Sequence, residues 1–223
     1  MGHPYWPLFD LRLRTDRLEM RYPNDEDCVQ LAELAAKGIH QPGWMPFSNP
    51  WTEAPSPQLE RQALQFYWRI RASWTPDNWH CLFATLRDGE VIGTQDFFAK
   101  NFATLRGVSS GSWLGQGFHG KGFGKEQRAG MLHLAFAGLG ALRADSGARD
   151  DNGPSLGVSR ALGYEEDGDY FDAFGEQRVR MVRIKLTRER WEAHRKYDVE
   201  ITGLEPCLEL FGAAPGSGPG PGS

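Results

Sequence analysis

Residues 113–124 read Trp-Leu-Gly-Gln-Gly-Phe-His-Gly-Lys-Gly-Phe-Gly, and this segment limits the fold more than any other because a glycine-dense loop runs straight into an amphipathic helix. Ala129, Leu132, Phe136 and Leu139 follow at helical spacing, and Gly138 and Gly140 mark the stop, giving an expected helix over about 124–138. Residues 111–124 hold six of the 27 glycines and residues 212–223 hold five. The other 197 residues carry sixteen, about 8% and close to the average of about 7%. The excess is therefore two local events. The second, residues 212–223, contains only Gly, Ala, Pro and Ser, has nothing to bury, and is expected to be a disordered tail behind a single domain of residues 1–211.

The remaining composition narrows the class. Apolar residues at 40%, with eight tryptophans, supply enough burial to offset chain entropy. A net charge of -4 without a Lys/Arg run argues against direct nucleic-acid binding, which needs clustered positive charge to neutralise phosphates. Cys28, Cys81 and Cys207 are too few and too scattered for a disulfide framework or a zinc knuckle and read as reduced thiols. No stretch approaches the roughly 20 apolar residues of a membrane span, and the first residues lack a basic region followed by an apolar run. A cytoplasmic protein with no membrane partner and no metal is expected.

Along the chain, Leu18, Met20 and Tyr22 alternate as in an amphipathic strand. Asn24 is placed to cap a helix whose first turn carries Asp25, Glu26 and Asp27 and which stops at Gly38. Residues 39–55 form a long loop bearing His40, Trp44, Phe47 and Trp51, either packed on its own aromatics or walling a ligand site. Ser56 and Pro57 open a second helix with Leu59, Ala63, Phe66, Ile70 and Trp74 as its stripe. Runs 80–87 and 90–99 flank Asp88-Gly89, a strong hairpin signal, and run 107–114 continues an antiparallel meander. A strand over 141–148, a short helix from Asn152 to Gly163, extended stretches from Tyr164 and over 177–186, and a polar helix over 187–197 complete a mixed α/β order.

The glycine segment fits three phosphate-loop patterns. Gly115, Gly117 and Gly120 satisfy a dinucleotide fingerprint, but that fingerprint needs a parallel βαβ unit and an acidic residue about 20 positions on. It would also place Gly120, Gly122 and Gly124 inside a helix, each about 1 kcal/mol worse than alanine. Gly115 to Lys121 matches part of a Walker A loop, yet Gly122 stands where a Ser or Thr must bind magnesium. The third pattern starts the helix after Gly122 or Gly124, so residues 119–125 expose consecutive backbone N–H groups at a positive helix end, flanked by Lys121 and Lys125.

In that third form, residues 119–124 (His-Gly-Lys-Gly-Phe-Gly) resemble the Gln/Arg-x-x-Gly-x-Gly/Ala acyl-CoA pyrophosphate loop of the GNAT acyltransferases, with His119 departing from the usual first residue. Residues 151–164 look like the family's Asn-x-x-Ser and Leu-Gly-Tyr segment, and Thr15-Asp16-Arg17-Leu18 looks like its opening strand. The RimJ/RimL-like protein N-terminal acetyltransferases are the closest branch, with residues 110–114 in the place of their central strand. The resemblance spans about residues 12–190. It implies a mainly antiparallel sheet flanked by helices, with acetyl-CoA or another acyl-CoA, succinyl-CoA included, as co-substrate and an amine of a protein N-terminus, lysine or small molecule as acceptor.

The resemblance also assigns roles. Trp113, Leu114 and Gly115 would run along pantetheine and the thioester, and His119, Gly120, Lys121, Gly122, Phe123, Gly124 and Lys125 would hold the pyrophosphate. Asn152 and Ser155 would lie near the CoA arm, with Ser155 as proton donor to sulfur, since Ser159 stands where many members carry a tyrosine. Both also suit a plain helix cap. Asp96 is the candidate general base, against a solvent-facing place on an edge strand; His40 is the alternative. Glu165 and Glu166 read as solvated. His40, Trp44, Phe47 and Trp51 would form the acceptor groove. A non-catalytic CoA- or nucleotide-binding module is the competing function, an NTPase a distant third, and a homo-oligomer is left open.

Overall fold

The computed structural model describes residues 2–214. Within them one nine-stranded sheet runs in the order β7-β8-β6-β5-β4-β3-β2-β1-β9. In chain order the elements are β1 Arg12–Arg14, β2 Glu19–Arg21, α1 Asp25–Ala36, α2 Gln58–Ala72, β3 Asn78–Arg87, β4 Glu90–Lys100, α3 Phe102–Leu105 and β5 Gly107–Leu114. They continue with α4 Phe123–His133, β6 Arg143–Arg149, α5 Gly153–Ala161, β7 Glu165–Phe174, β8 Gln177–Thr187, α6 Arg188–His194 and β9 Glu200–Thr202. Every strand pair is antiparallel except β5 with β6. The expected mixed, mainly antiparallel architecture is present.

Strand alternation divides the core into two layers. Leu82, Ala84 and Leu86 of β3 face α1 and α2, meeting Cys28, Leu31, Ala32, Ala63, Tyr67 and Ile70. Cys81 and Phe83 face the opposite layer, where Phe97, Val108, Ala144 and Ile184 pack against Met131, Leu132 and Phe136 and against Leu156 of α5 and Trp191 of α6. The chain then returns after α6 and inserts Phe211, fully buried, against Trp74, Trp79 and Phe97. Trp79 Nε1 and Trp74 Nε1 donate to the carbonyls of Phe211 and Leu210.

Local signals did their expected work at several ends. Asn24 accepts from the Asp27 N–H at 2.8 Å while Asp27 Oδ2 accepts from the Asn24 N–H at 3.2 Å, a reciprocal cap. Asp88 and Gly89 turn the β3–β4 hairpin with φ of 50° and 83°.

Other expectations need correction. Thr15-Asp16-Arg17-Leu18 is the turn between β1 and β2 and not a strand, because Thr15 N donates to Leu18 O across it at 2.9 Å. Ser56 does not cap α2; Pro57 holds that position, and the Ser56 hydroxyl instead donates to Glu60 Oε1 at 2.6 Å. Tyr67, and not Phe66, is the buried aromatic of the α2 stripe. The helix after the glycine segment is α-helical only to His133 and widens into a π turn over Leu134–Gly138. Of the expected tail, residues 215–223 lie outside the described residues. Gly212 and Ala213 close a turn on Glu209 and Leu208.

Candidate functional site

The parallel ladder between β5 and β6 lasts three pairings, Gly107 with Arg143, Val108 with Ala144 and Ser109 with Asp145. Beyond them β5 keeps its partner β4 to Leu114, and β6 keeps its partner β8 to Arg149, so the two middle strands part in a V. Ser146 Oγ donates to Ser110 O at 3.2 Å at the apex. By strand alternation Ser110, Ser112 and Leu114 therefore turn their backbone groups into the V, whereas Gly115 N donates the other way, to Ile92 O of β4 at 2.9 Å.

The glycine segment lies at the open end of this V. Gly115 and Gln116 dock on the end of α1: a Cβ at Gly115 would stand 2.7 Å from Leu34 Cδ1, and Gln116 N donates to Gly38 O at 3.1 Å. His119 folds back so that Nε2 meets Leu114 O at 2.9 Å, closing the loop. Gly120 and Gly122 take left-handed φ of 74° and 86°, conformations that disfavour any side chain. Gly122 then caps α4, and Phe123 is its first residue. Among the described residues, the N–H groups of Gly120, Lys121, Gly122, Phe123 and Gly124 have no acceptor. Five adjacent donors at a helix N-terminus form an anion cradle.

Cationic side chains surround it. Lys121 and Lys125 are exposed, and Arg17 and Arg87 lie over the Phe123 ring at 4.8 and 5.1 Å. On the α4 side of the V, Arg128 is 4% exposed, donates to Ser112 Oγ at 3.0 Å and Ser159 Oγ at 3.2 Å, and has no acidic partner among the described residues. Its Nε is buried without a hydrogen bond, and close by the Tyr164 hydroxyl, whose pKa is pushed up first by burial, has Ser110 Oγ as its polar neighbour. An unpaired polar atom in such a place suits a ligand that carries its own donors and acceptors.

Residues 17–165 match the family model described as the acetyltransferase (GNAT) domain, two thirds of the chain. The chain belongs to the GNAT acetyltransferase family. Its fold is also that of solved GNAT proteins. RimJ of Mycobacterium smegmatis, in complex with CoA-disulfide, is similar at 19% identity and TM-score 0.64, over 86% of this chain and 98% of that one. RimL, a ribosomal L7/L12 α-N-protein acetyltransferase in complex with coenzyme A, is similar at 17% identity and TM-score 0.63, over 78% and 95%. A GCN5-related N-acetyltransferase from Brucella melitensis is similar at 15% identity and TM-score 0.64, over 82% and 81%.

GNAT acetyltransferases use acetyl-CoA, and the V with its cradle fits that molecule: a narrow opening lined by backbone amides leads from five unpaired N–H groups. Asn152 caps α5, its Oδ1 accepting from Ser155 N at 3.1 Å, which satisfies the helix-cap reading. Ser155 keeps its hydroxyl free of protein partners while its carbonyl accepts from Ser159 Oγ at 3.1 Å. Ser159 is buried, and its hydroxyl accepts from Arg128 Nη1 at 3.2 Å.

Asp96 is not on an edge. β4 lies inside the sheet between β3 and β5, and the carboxylate, 17% exposed, accepts from His80 Nε2 at 2.6 Å. The loop 39–55 packs on itself and on β5 together: His40 meets Phe47 at 6.0 Å, Phe47 meets Trp51 at 5.9 Å, and Trp51 meets Trp113 at 6.3 Å. His40 Nε2 is engaged with Thr52 Oγ1 at 2.7 Å, so His40 is tied into the loop. Trp44 Nε1 donates to Asp151 at 3.5 Å under the guanidinium of Arg149. Glu165 and Glu166 are exposed and pair with Arg190 and Arg160.

Sequence reading missed His80, Arg128 and Arg149. His80 and Arg128 find their partners 16 to 31 positions away, and Arg149 joins its near neighbour Asp151 to the distant Met45 and Trp44, so no spacing rule marks them.

Proposed function

We propose that this GNAT chain, with residues 1–211 as its catalytic domain, transfers an acyl group from acyl-CoA to a primary amine. The separation of β5 from β6 directly in front of the unpaired N–H cradle carries the reading. Gly120 to Gly124 hold the pyrophosphate, and the edges of β5 turned into the V bind the pantetheine arm. The thioester lies near Trp113, Leu114 and Gly115, where the Leu114 N–H, the one of the three turned into the V, stabilises charge on the carbonyl oxygen. Asp96 accepts the proton of the amine, and Ser155 delivers one to the departing sulfur.

Acetyl is the simplest acyl group; the cradle reads the pyrophosphate and not the acyl chain, so succinyl is the alternative. The acceptor approaches from the α1–α2 side, between Trp113 and the loop with His40, Trp44, Phe47 and Trp51. The likeness to RimJ and to RimL, named for an α-N-protein substrate, makes a protein N-terminus the first acceptor to test. Three unpaired thiols fit a reducing cytoplasm.

Native followed by denaturing mass spectrometry of the protein from its expression host should reveal a CoA species that leaves on denaturation. Peptides with free N-termini, lysine peptides and small amines, each with acetyl-CoA, should then release thiol with at least one class. CoA binding without turnover on any class would instead favour a non-catalytic CoA-binding module. No CoA species and no thermal shift with CoA would refute both.

A further inference from the structure

His80 of β3 and Asp96 of β4 meet on the sheet face covered by α2. Leu82 is opposite Asp96 and Phe98 opposite His80, so the contact runs along the diagonal of the antiparallel pair. Phe66 of α2 approaches the imidazole edge-on at 5.8 Å, and Phe98 lies tilted against it at 5.1 Å, which fixes the ring. An ionised carboxylate can only accept, so the ring nitrogen 2.6 Å from Oδ2 carries the proton. Both side chains stay partly open, at 24% and 17% exposure, in a position that solvent and ligands can reach.

The two oxygens of Asp96 face different ways. Oδ2 is held by His80, whereas Oδ1 looks across to β5, where Gly111 is the register partner of Asp96. A Cβ at Gly111 would stand 2.9 Å from Oδ1 and 3.6 Å from Oδ2, so the missing side chain is what leaves Oδ1 uncovered. Trp113, two residues on, lies on the same face of β5 beneath Trp51. Tyr67 of α2 registers the same charge: its phenol pKa is pushed up first by burial, and further by the negative charge of Cys28 and Asp96.

We infer that His80 is the positioning residue of a proton-accepting pair, in which Oδ1 of Asp96 takes the proton of the acceptor amine while His80 fixes Oδ2. The inference rests on the acyltransferase reading. In the step it serves, the amine nitrogen bonds to the acyl carbon and the carbon–sulfur bond breaks. The electron pair of that bond stays on sulfur. The nitrogen's proton passes to Asp96 and sulfur is protonated, so one proton moves from nitrogen to sulfur in net. A carboxylate free to rotate would present Oδ1 only part of the time; the bond from His80 and the clamp of Phe66 and Phe98 remove that freedom.

The test uses the full chain with acetyl-CoA and the amine that the wild type accepts, following thiol release. His80→Phe should lower kcat about ten- to a hundredfold while KM for acetyl-CoA stays within about twofold. His80→Gln, whose amide N–H can still donate to Oδ2, should keep kcat within about fivefold of wild type. His80→Phe combined with Asp96→Asn should be no slower than Asp96→Asn alone, and the melting-temperature losses of the singles should not add in the double, a readout independent of turnover. Should His80→Phe not fold, His80→Ala is read in the same way. An unchanged kcat in His80→Phe, a His80→Gln as slow as His80→Phe, or losses that multiply would overturn the pair and leave the acyltransferase reading standing. A wild type that binds acetyl-CoA and acylates no amine overturns that reading, and the pair's role with it.

Discussion

Arg17 donates its backbone N–H to Glu126 Oε1 at 3.0 Å and its Nε to Oε2 at 2.8 Å, which fastens the β1–β2 turn to the first turn of α4. Thr15 Oγ1 joins at 2.7 Å, and Arg17 Nη1 reaches Lys121 O at 3.2 Å. The Glu126 carboxylate is 1% exposed and the Arg17 side chain 43%. Breaking a buried pair leaves an uncompensated charge, so Arg17→Ala should lower unfolding free energy by about 3 kcal/mol, the low end for such pairs because one partner is half-open. The same variant frees Lys121 and should weaken CoA binding. Denaturant titration and CoA thermal shifts measure both, and a loss under about 1 kcal/mol would show that Thr15 Oγ1 and the backbone N–H of residue 17 satisfy Glu126 without the guanidinium.

Gly120→Ala separates the backbone cradle from its stability. A Cβ there meets nothing within 4 Å, so the substitution carries only the left-handed strain of φ 74°, about 1 kcal/mol. That methyl group would stand beside the five unpaired N–H groups. CoA affinity, by calorimetry, should fall more than about tenfold, whereas a stability loss of that size alone leaves the chain folded and its affinity unchanged. Gly117→Ala, also with open space and with no left-handed backbone, is the control and should bind CoA as the wild type does.

The sequence made the fold legible where signals are local. The Asp88-Gly89 turn, the Asn24 cap and the glycine-to-helix junction at 122–123 each depend on a few adjacent residues, and each stands where expected. The resemblance places Thr15-Asp16-Arg17-Leu18 in a strand, and what makes it a turn is its own Thr15–Leu18 bonds together with Glu126, more than a hundred positions away. For Asp96 an edge place stays open beside the catalytic one because one strand read alone does not reveal its neighbours. The site followed the same division. The cradle is written in alternate glycines of one short segment, whereas His80 with Asp96, Arg128 with Ser112 and Ser159, and Arg149 with Trp44 exist only once the sheet has paired.

The thiols should set an alkaline limit on stability. Burial pushes Cys28 up to about 11 and Cys207 up to about 12, from an ordinary 9.0, and raises Cys81 as well. Tyr22, also buried, rises to about 12. A raised folded pKa gives stability that is complete below the unfolded value and is lost as pH climbs through the folded one. Unfolding free energy should therefore hold from pH 7 to about 8.5 and fall steadily above pH 9. Thiol-reagent labelling at pH 8 should find no fast-reacting cysteine in the folded chain and three after denaturation. A thiol that reacts at once in the native protein would refute this account of the burial.

Arg149 should control the acceptor side alone. Its Nε and Nη2 grip both oxygens of Asp151 at 2.8 and 2.7 Å, its Nη1 donates to Met45 O at 3.0 Å, and Trp44 and Phe174 lie against the guanidinium. Asp151 is held below its ordinary pKa of 3.8 first by the hydrogen bonds from Arg149. With a depressed folded pKa, the contribution of this pair is present above 3.8 and lost as pH falls through the lower folded value, so the anchor is constant through the neutral range. Arg149→Met keeps the aliphatic length but releases Met45 and Asp151 together. The loop 39–55 should then loosen, raising KM for the amine about tenfold while acetyl-CoA affinity stays within about twofold. Fluorotryptophan NMR gives the structural side of the test. The Trp44 resonance should sharpen toward its solvent-exposed position in the variant, and the Trp79 resonance, deep in the core, should not move. A rise in the acetyl-CoA dissociation constant equal to the rise in amine KM would show that the loop shapes the whole cleft and does not act on the acceptor alone.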